Sequence, residues 1–245
     1  MDYACAPCGI DGGAAGLTLT GEFQLVIGGR QSWIPHSAER VLTYLALADR
    51  PVSRARLAGS LWRDGSGERA AKSLRTALWR IRQAADHLVL AHDDRLCLYP
   101  GVTVDVTDLT DLAMRLIHQP DPEGLSQLPL LVGCGELLPD WEDEWVAADR
   151  ERYRLLRLEA LERAALALME RRLLGDALIA ALTAAQAEPL RESARRLVVQ
   201  VQVAQGNVAE AVRSYCGYES LLRKELGLQP SHVIAELIEP FYRTA

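Results

Sequence analysis

The sequence has no apolar run approaching the roughly 18–20 residues that span a bilayer. The stretch from Met1 to Gly16 carries no Lys or Arg. The first absence excludes a transmembrane helix, so no membrane partner is expected. The second, joined to the lack of a continuous apolar core there, excludes a secretory signal. Both point to the cytoplasm. Cysteines are few and odd in number: Cys5, Cys8, Cys97, Cys134 and Cys216. A scattered odd set is not a disulfide framework. Cys5-Ala-Pro-Cys8 has metal-type spacing, but no second pair completes the four ligands of a structural zinc, so no metal is expected. The Gly/Ala-rich residues 1–16 read as a disordered leader.

Catalytic motifs are missing as well. His36, His87, His92, His118 and His232 are dispersed, with no His-x3-His pair. There is no Gly-x-Ser-x-Gly elbow, no dinucleotide-binding loop and no Gly-x4-Gly-Lys-Ser/Thr phosphate loop. His92-Asp93-Asp94 has the composition of a polar turn. The expectation is a chain that is not an enzyme and holds no cofactor.

What is present is a 245-residue chain, 49% hydrophobic and 24% charged, with a net charge of −6. That length suits one large domain or two small ones. The net charge is at odds with nucleic-acid binding until it is divided along the chain. Residues 17–106 hold 12 Lys/Arg against 9 Asp/Glu, whereas residues 107–245 hold 15 against 22. Within residues 53–85 there are 8 basic side chains and 2 acidic ones. Because charges are screened over about 8 Å at physiological salt, local focus outweighs the total.

Leu17 to Ile34 alternates at period two around Gly28-Gly29, which predicts two or three short strands with a hairpin turn. Ser37 is placed to cap a helix that puts Val41, Leu42, Leu45 and Ala46 on one face and ends at Arg50-Pro51. Ser53 caps a second helix carrying Leu57, Leu61 and Trp62. After a turn over 64–67, a third helix is predicted for 68–85, with Ala71, Leu74, Ala77, Leu78, Ile81 and Ala85 toward the core. Its other face carries Lys72, Arg75, Thr76, Trp79, Arg80 and Arg82. Residues 88–99 read as a hairpin with Arg95 at its tip, and Val102, Val104 and Val106 as a further strand. Strands, three helices and a hairpin make a winged helix-turn-helix over 17–106.

From 107 to 245 helices dominate. Residues 120–139 are interrupted by Pro and Gly. A long helix is expected over 142–173, with Trp145, Leu155, Leu158, Leu161, Ala165 and Leu168 as core. Further helices are expected over 175–189, 190–205, 206–226 and 231–242. Gly175-Asp176 and Gly206-Asn207 occupy similar turn positions, each ahead of an Ala-rich helix. That near-repeat suggests helix pairs of the tetratricopeptide type, whose period is about 34. The fold class is therefore mainly α with a small antiparallel β component. The acids around Trp141 and Trp145 read as a helix N-terminus beside two core tryptophans.

Several stretches carry a family resemblance. In the first half they are Ser53-Arg-Ala-Arg-Leu-Ala-Gly-Ser-Leu-Trp62 and Ala71-Lys-Ser-Leu-Arg-Thr-Ala-Leu-Trp-Arg-Ile-Arg82. In the second half they are Leu137-Leu-Pro-Asp-Trp-Glu-Asp-Glu-Trp145, Arg150 to Leu161, and Arg223-Lys-Glu-Leu-Gly-Leu-Gln-Pro-Ser231. In order and spacing the chain resembles the Streptomyces antibiotic regulatory proteins over about residues 17–240. The resemblance implies an OmpR-like winged helix followed by a bacterial transcriptional activation domain. It further implies a homodimer on direct repeats in promoter DNA, contact with RNA polymerase and its sigma factor, and activation of antibiotic genes in the nucleoid. Trp79 stands where that family usually has a small or polar residue.

The resemblance places Lys72, Ser73, Thr76 and Arg80 at DNA-facing positions, with Arg75 and Trp79 beside them. A major groove about 12 Å wide admits one helix, and Arg or Lys can read guanine O6/N7 there. Arg54, Arg56 and Arg82 are assigned to phosphates, and Arg95 to the minor groove. The rival reading is a helical-repeat interaction scaffold, in which the basic face is merely solvated.

Overall fold

The computed structural model describes residues 15–48 and 50–242. Cys5, Cys8 and most of the expected leader lie outside the described residues, while Ala15 and Gly16 already belong to strand β1 (Ala15–Thr18). The chain divides into two compact units. One comprises the residues up to 107 together with 135–151; the other comprises 108–134 and the residues from 152 onward.

In the first unit, β1 pairs antiparallel with β2 (Gln24–Ile27), which pairs antiparallel with β3 (Arg30–Ser32). Gly28 and Gly29 supply the two positive φ angles, 56° and 75°, that a two-residue hairpin turn requires. Between β3 and the last strand of this sheet come α1 (His36–Ala48), β4 (Val52–Ser53), α2 (Arg54–Leu61), α3 (Gly67–Ala84), β5 (Val89–His92) and β6 (Arg95–Leu98). Then β7 (Val102–Val104) returns to pair with β1 in parallel, giving the order β3-β2-β1-β7. The sheet is therefore mixed: a strand returning after so long a connection can run parallel, as a hairpin cannot. A second, three-stranded sheet has the order β4-β6-β5 and is antiparallel.

The strand expected to reach Val106 stops at Val104. The Asp105 carboxylate accepts hydrogen bonds from the backbone N–H of Leu19 (2.8 Å) and Thr20 (2.9 Å) and from the Thr20 hydroxyl (2.6 Å). It thereby ties the end of β1 to the start of α4 (Asp105–His118), in which Val106 is buried. Helix α1 buries Val41, Leu42, Leu45 and Ala46 as their spacing predicts. It begins one residue ahead of the expected Ser37 cap, because the Pro35 carbonyl accepts from the Ala38 and Glu39 N–H groups. Trp62 closes α2 as its C-cap and carries the Arg40 guanidinium over its ring at 5.9 Å.

Residues 135–151 complete this unit. Leu137 bridges Thr20, the Leu138 N–H donates to the Leu19 carbonyl, and the Gly21 N–H donates to Glu136. Trp141 stacks on Phe23 with centroids 6.2 Å apart and meets the edge of His36 at 4.7 Å. Trp145 tilts against Tyr44 at 5.3 Å. Both tryptophans are half-buried. Asp143 pairs with Arg40 at 2.5 Å and Glu144 with Arg63 at 3.0 Å. Arg150 donates to the carbonyls of Leu137 (2.9 Å), Leu138 (2.6 Å) and Trp141 (2.9 Å).

The second unit is all-helical: α4, α5 (Pro122–Ser126), α6 (Leu128–Gly133), most of α7 (Glu144–Glu170), α8 (Leu174–Ala187), α9 (Glu192–Ala204), α10 (Val208–Leu226), α11 (His232–Ala235) and α12 (Glu239–Tyr242). The helix expected over 231–242 is thus broken in two. On α7, Leu158, Leu161, Ala165 and Leu168 are buried, but Leu155, expected in the core, is 44% exposed. Helix α8 buries Ala177, Ala180, Ala181, Ala184 and Ala185, a stripe small enough for its neighbours to approach closely. Farther along, Val199, Ala211, Tyr218, Leu222, Ile234 and Ile238 form one core cluster.

The repeat is present, in a different register from the one the glycines suggest. Gly175 lies inside α8, whereas Gly206 precedes α10 with φ 78°. The true counterpart of Gly206 is Arg172, one repeat earlier, with φ 60°. At both places three bonds recur at the same offset. Arg172 N–H donates to Met169 and Gly206 N–H to Val203; Leu173 donates to Leu168 and Asn207 to Gln202; Ala177 donates to Leu173 and Ala211 to Asn207. The first two pairs are the Schellman bonds that end a helix in a left-handed residue.

Candidate nucleic-acid interface

Helix α3 starts because Ser66 caps it, its side chain accepting from the Arg69 N–H at 3.4 Å. Ala70, Leu74, Ala77 and Ile81 recur at spacings of three and four and are buried. The core face is thus set one residue earlier than expected at its start: Ala70 replaces Ala71, which is half-buried like Leu78 and Ala85. This rotation fixes what the opposite side presents. Lys72, Arg75, Thr76, Trp79, Arg80 and Arg82 are all exposed, and Ser73 is half-buried at the margin.

These side chains form two rows. Lys72, Thr76 and Arg80 follow one another at spacings of four, with the Thr76 hydroxyl bonded to the Lys72 carbonyl at 3.1 Å. Arg75, Trp79 and Arg82 make the second row, nearer the hairpin of β5 and β6. The Arg80 guanidinium lies 4.8 Å from the Trp79 ring centroid, a cation–π contact that links the rows. Among the described residues, no carboxylate forms an ion pair with Lys72, Arg75, Arg80 or Arg82. Arginines of the second unit contrast with them: Arg191 pairs with Glu162 and Glu159, Arg154 with Glu188, Arg163 with Glu159 and Arg213 with Glu210.

Arg54, half-buried at the first position of α2, joins Arg75, Trp79 and Arg82 around a cleft of about 240 Å³. The cleft opens between α3 and the hairpin, whose Val89, Ala91 and Leu96 line its far side. Arg56 is exposed on α2, outside the cleft. Arg95 opens β6, opposite Ser53, and its guanidinium turns back to the Pro51 carbonyl at 3.4 Å. The hairpin tip itself presents Asp93, at φ 54°, and Asp94. Among the exposed side chains on α3 that the sequence did not single out are Arg69 and Gln83. The spacing 69-72-76-80-83 carries the signal for both, since it places them on the first row one turn beyond each end.

The geometry defines a winged helix-turn-helix unit with an unneutralised cationic helix face, followed by a tetratricopeptide-like helical unit. Residues 134–240 match the family model described as bacterial transcriptional activator domain. The structure is similar to that of Mycobacterium tuberculosis EmbR, solved in complex with a low affinity phosphopeptide, with a TM-score of 0.74 at 18% sequence identity. The likeness covers 94% of this chain and 65% of that one, and at this identity it is a likeness of fold. No curated protein matches the sequence. Among the described residues, no helix is long and apolar enough to cross a membrane, and no group of three or more His, Cys, Asp or Glu could hold a metal ion.

Proposed function

We propose that this chain is a sequence-specific DNA-binding transcriptional regulator, with α3 as the helix that enters the major groove. The observation that carries this reading is the bare cationic face of α3, backed by a fully apolar opposite face. A surface that only needed solubility would gain from the Glu and Lys pairs that line ordinary helices. Cations left without protein partners are suited to displacing counterions from a polyanion. Lys72, Thr76 and Arg80 are assigned to base edges and nearby phosphates, with Ser73 at their margin. Arg54, Arg56, Arg75 and Arg82 are assigned to phosphates, and Trp79 braces Arg80. Arg95, at the start of β6, is assigned to the minor groove, which requires its guanidinium to leave the Pro51 carbonyl.

The helical unit is the part suited to protein partners, because stacked helix pairs present extended surfaces. Its match to the activator-domain model supports recruitment of RNA polymerase through its sigma factor. Binding as a homodimer to direct repeats, activation of antibiotic-biosynthesis genes, and residence with the nucleoid in the cytoplasm complete the proposal. Footprinting and gel-shift titration at two salt concentrations test it. Lys72→Ala flattens the salt dependence by about one unit of slope if it meets a phosphate, and Arg80→Ala costs ~1–3 kcal/mol and relaxes one base preference if it reads a base. Unchanged affinity in both variants removes α3 from the interface.

A further inference from the structure

The cleft between α3 and the β5–β6 hairpin combines two chemistries that a nucleic-acid backbone does not need together. Arg54, Arg75 and Arg82 line it, against one acidic residue, Asp86. The rest of its lining is mostly hydrocarbon, from Leu78, Ile81, Val89, Ala91 and Leu96. Trp79 stands at the side, with the Arg80 guanidinium over its ring. The volume of about 240 Å³ lies below that of a drug-sized pocket, which suits a ligand of one ring.

We infer that this cleft is a binding site for a small aromatic anion, a single-ring carboxylate or sulfonate. A bare inorganic anion would satisfy the arginines and leave the apolar lining uncovered. A neutral ring would cover that lining and leave the cations without a counter-charge. A ring bearing one acid group satisfies both, its acid held in the charge-assisted, forked geometry that guanidinium offers and its ring against Trp79 and the aliphatic lining. Arg75, Trp79 and Arg82 also belong to the proposed DNA face, so an occupied cleft neutralises part of that face and lowers DNA affinity. That consequence rests on the DNA-binding reading; the ligand site does not.

The test uses the full chain and ligand-observed NMR with tryptophan fluorescence, at constant ionic strength, titrating benzoate, benzamide and inorganic phosphate in parallel. Benzoate saturates with a dissociation constant below about 1 mM, a reasonable limit for so small a ligand. Benzamide and phosphate bind at least about tenfold more weakly, as loss of a charge-assisted contact or of the apolar contact implies. The double variant Arg75→Gln/Arg82→Gln, at exposed positions, loses benzoate binding by at least about tenfold while its circular dichroism is unchanged. In Trp79→Phe the benzoate-dependent quenching disappears. Failure of benzoate to saturate, equal binding by the double variant, or phosphate binding as tightly as benzoate overturns the site. A DNA duplex supplies the second arm: saturating benzoate weakens duplex binding, and an unaltered duplex affinity overturns the coupling. Benzoate binding in a chain that binds no duplex at all would refute the DNA reading and leave the anion site standing.

Discussion

Arg172 and Gly206 occupy the same place in successive repeats, and exchanging their chemistry measures what that place demands. Both are left-handed, at φ 60° and 78°. A non-glycine residue held there costs roughly 1–2 kcal/mol through the clash of its Cβ with the following carbonyl. Arg172 is exposed, so Arg172→Gly removes that cost without emptying any core space. The greater freedom of glycine in the unfolded chain takes back about 0.5–1 kcal/mol. A net gain of about 1 kcal/mol remains, or about 2–4 °C in Tm for a chain of this size. Gly206→Ala runs the other way. A Cβ there meets nothing within 4 Å, so the loss of about 1 kcal/mol is backbone strain alone. The double variant Arg172→Gly/Gly206→Ala therefore melts close to the parent, because effects at sites without shared partners add. Thermal and urea unfolding of the full chain read all three. A destabilised Arg172→Gly would refute the equivalence of the two turns, since it would mean that the arginine side chain holds something glycine cannot.

Arg150→Met leaves the carbonyls of Leu137, Leu138 and Trp141 without their shared donor and lowers stability by about 2–3 kcal/mol, read by urea unfolding and by loss of the Trp141 near-ultraviolet signal. Asp105→Ala removes the acceptor for three donors of Leu19 and Thr20 and costs about 2–3 kcal/mol, with faster amide exchange at both residues. Arg69→Ala, on the first turn of α3, reduces the salt slope of duplex binding by about one unit without changing sequence preference, as footprinting on a randomised pool would show. An unchanged slope would place Arg69 off the duplex.

Periodicity carries most of the fold. Helices α1, α2 and α3 and both hairpins follow from residue spacing, helped at α2 by Ser53 as cap, because local rules and tertiary packing agree there. The one-residue rotation at the start of α3 is not legible, since Ala70 and Ala71 are the same residue and only packing separates them. The repeat register is hidden for a related reason. Glycine marks one left-handed turn, but at the other the position is filled by Arg172, and Gly175, inside a helix, takes its place in the pattern. Within the candidate site, the exposed positions of α3 are legible as the complement of its core face. The path of Arg95 toward Pro51 is not, because it depends on the pairing of Ser53 with the sequence-distant strand β6. The cleft is a product of packing between α3 and the hairpin and leaves no trace in local sequence.

The return of residues 135–151 means that a cut in the polypeptide is not a separation of its parts. A gene fragment ending near codon 107 would encode β1 without the bridge at Leu137, Phe23 without its indole neighbour, and Arg40 without Asp143. A stable first unit would have to be built as two stretches of sequence, either left in their natural order or spliced by a designed linker.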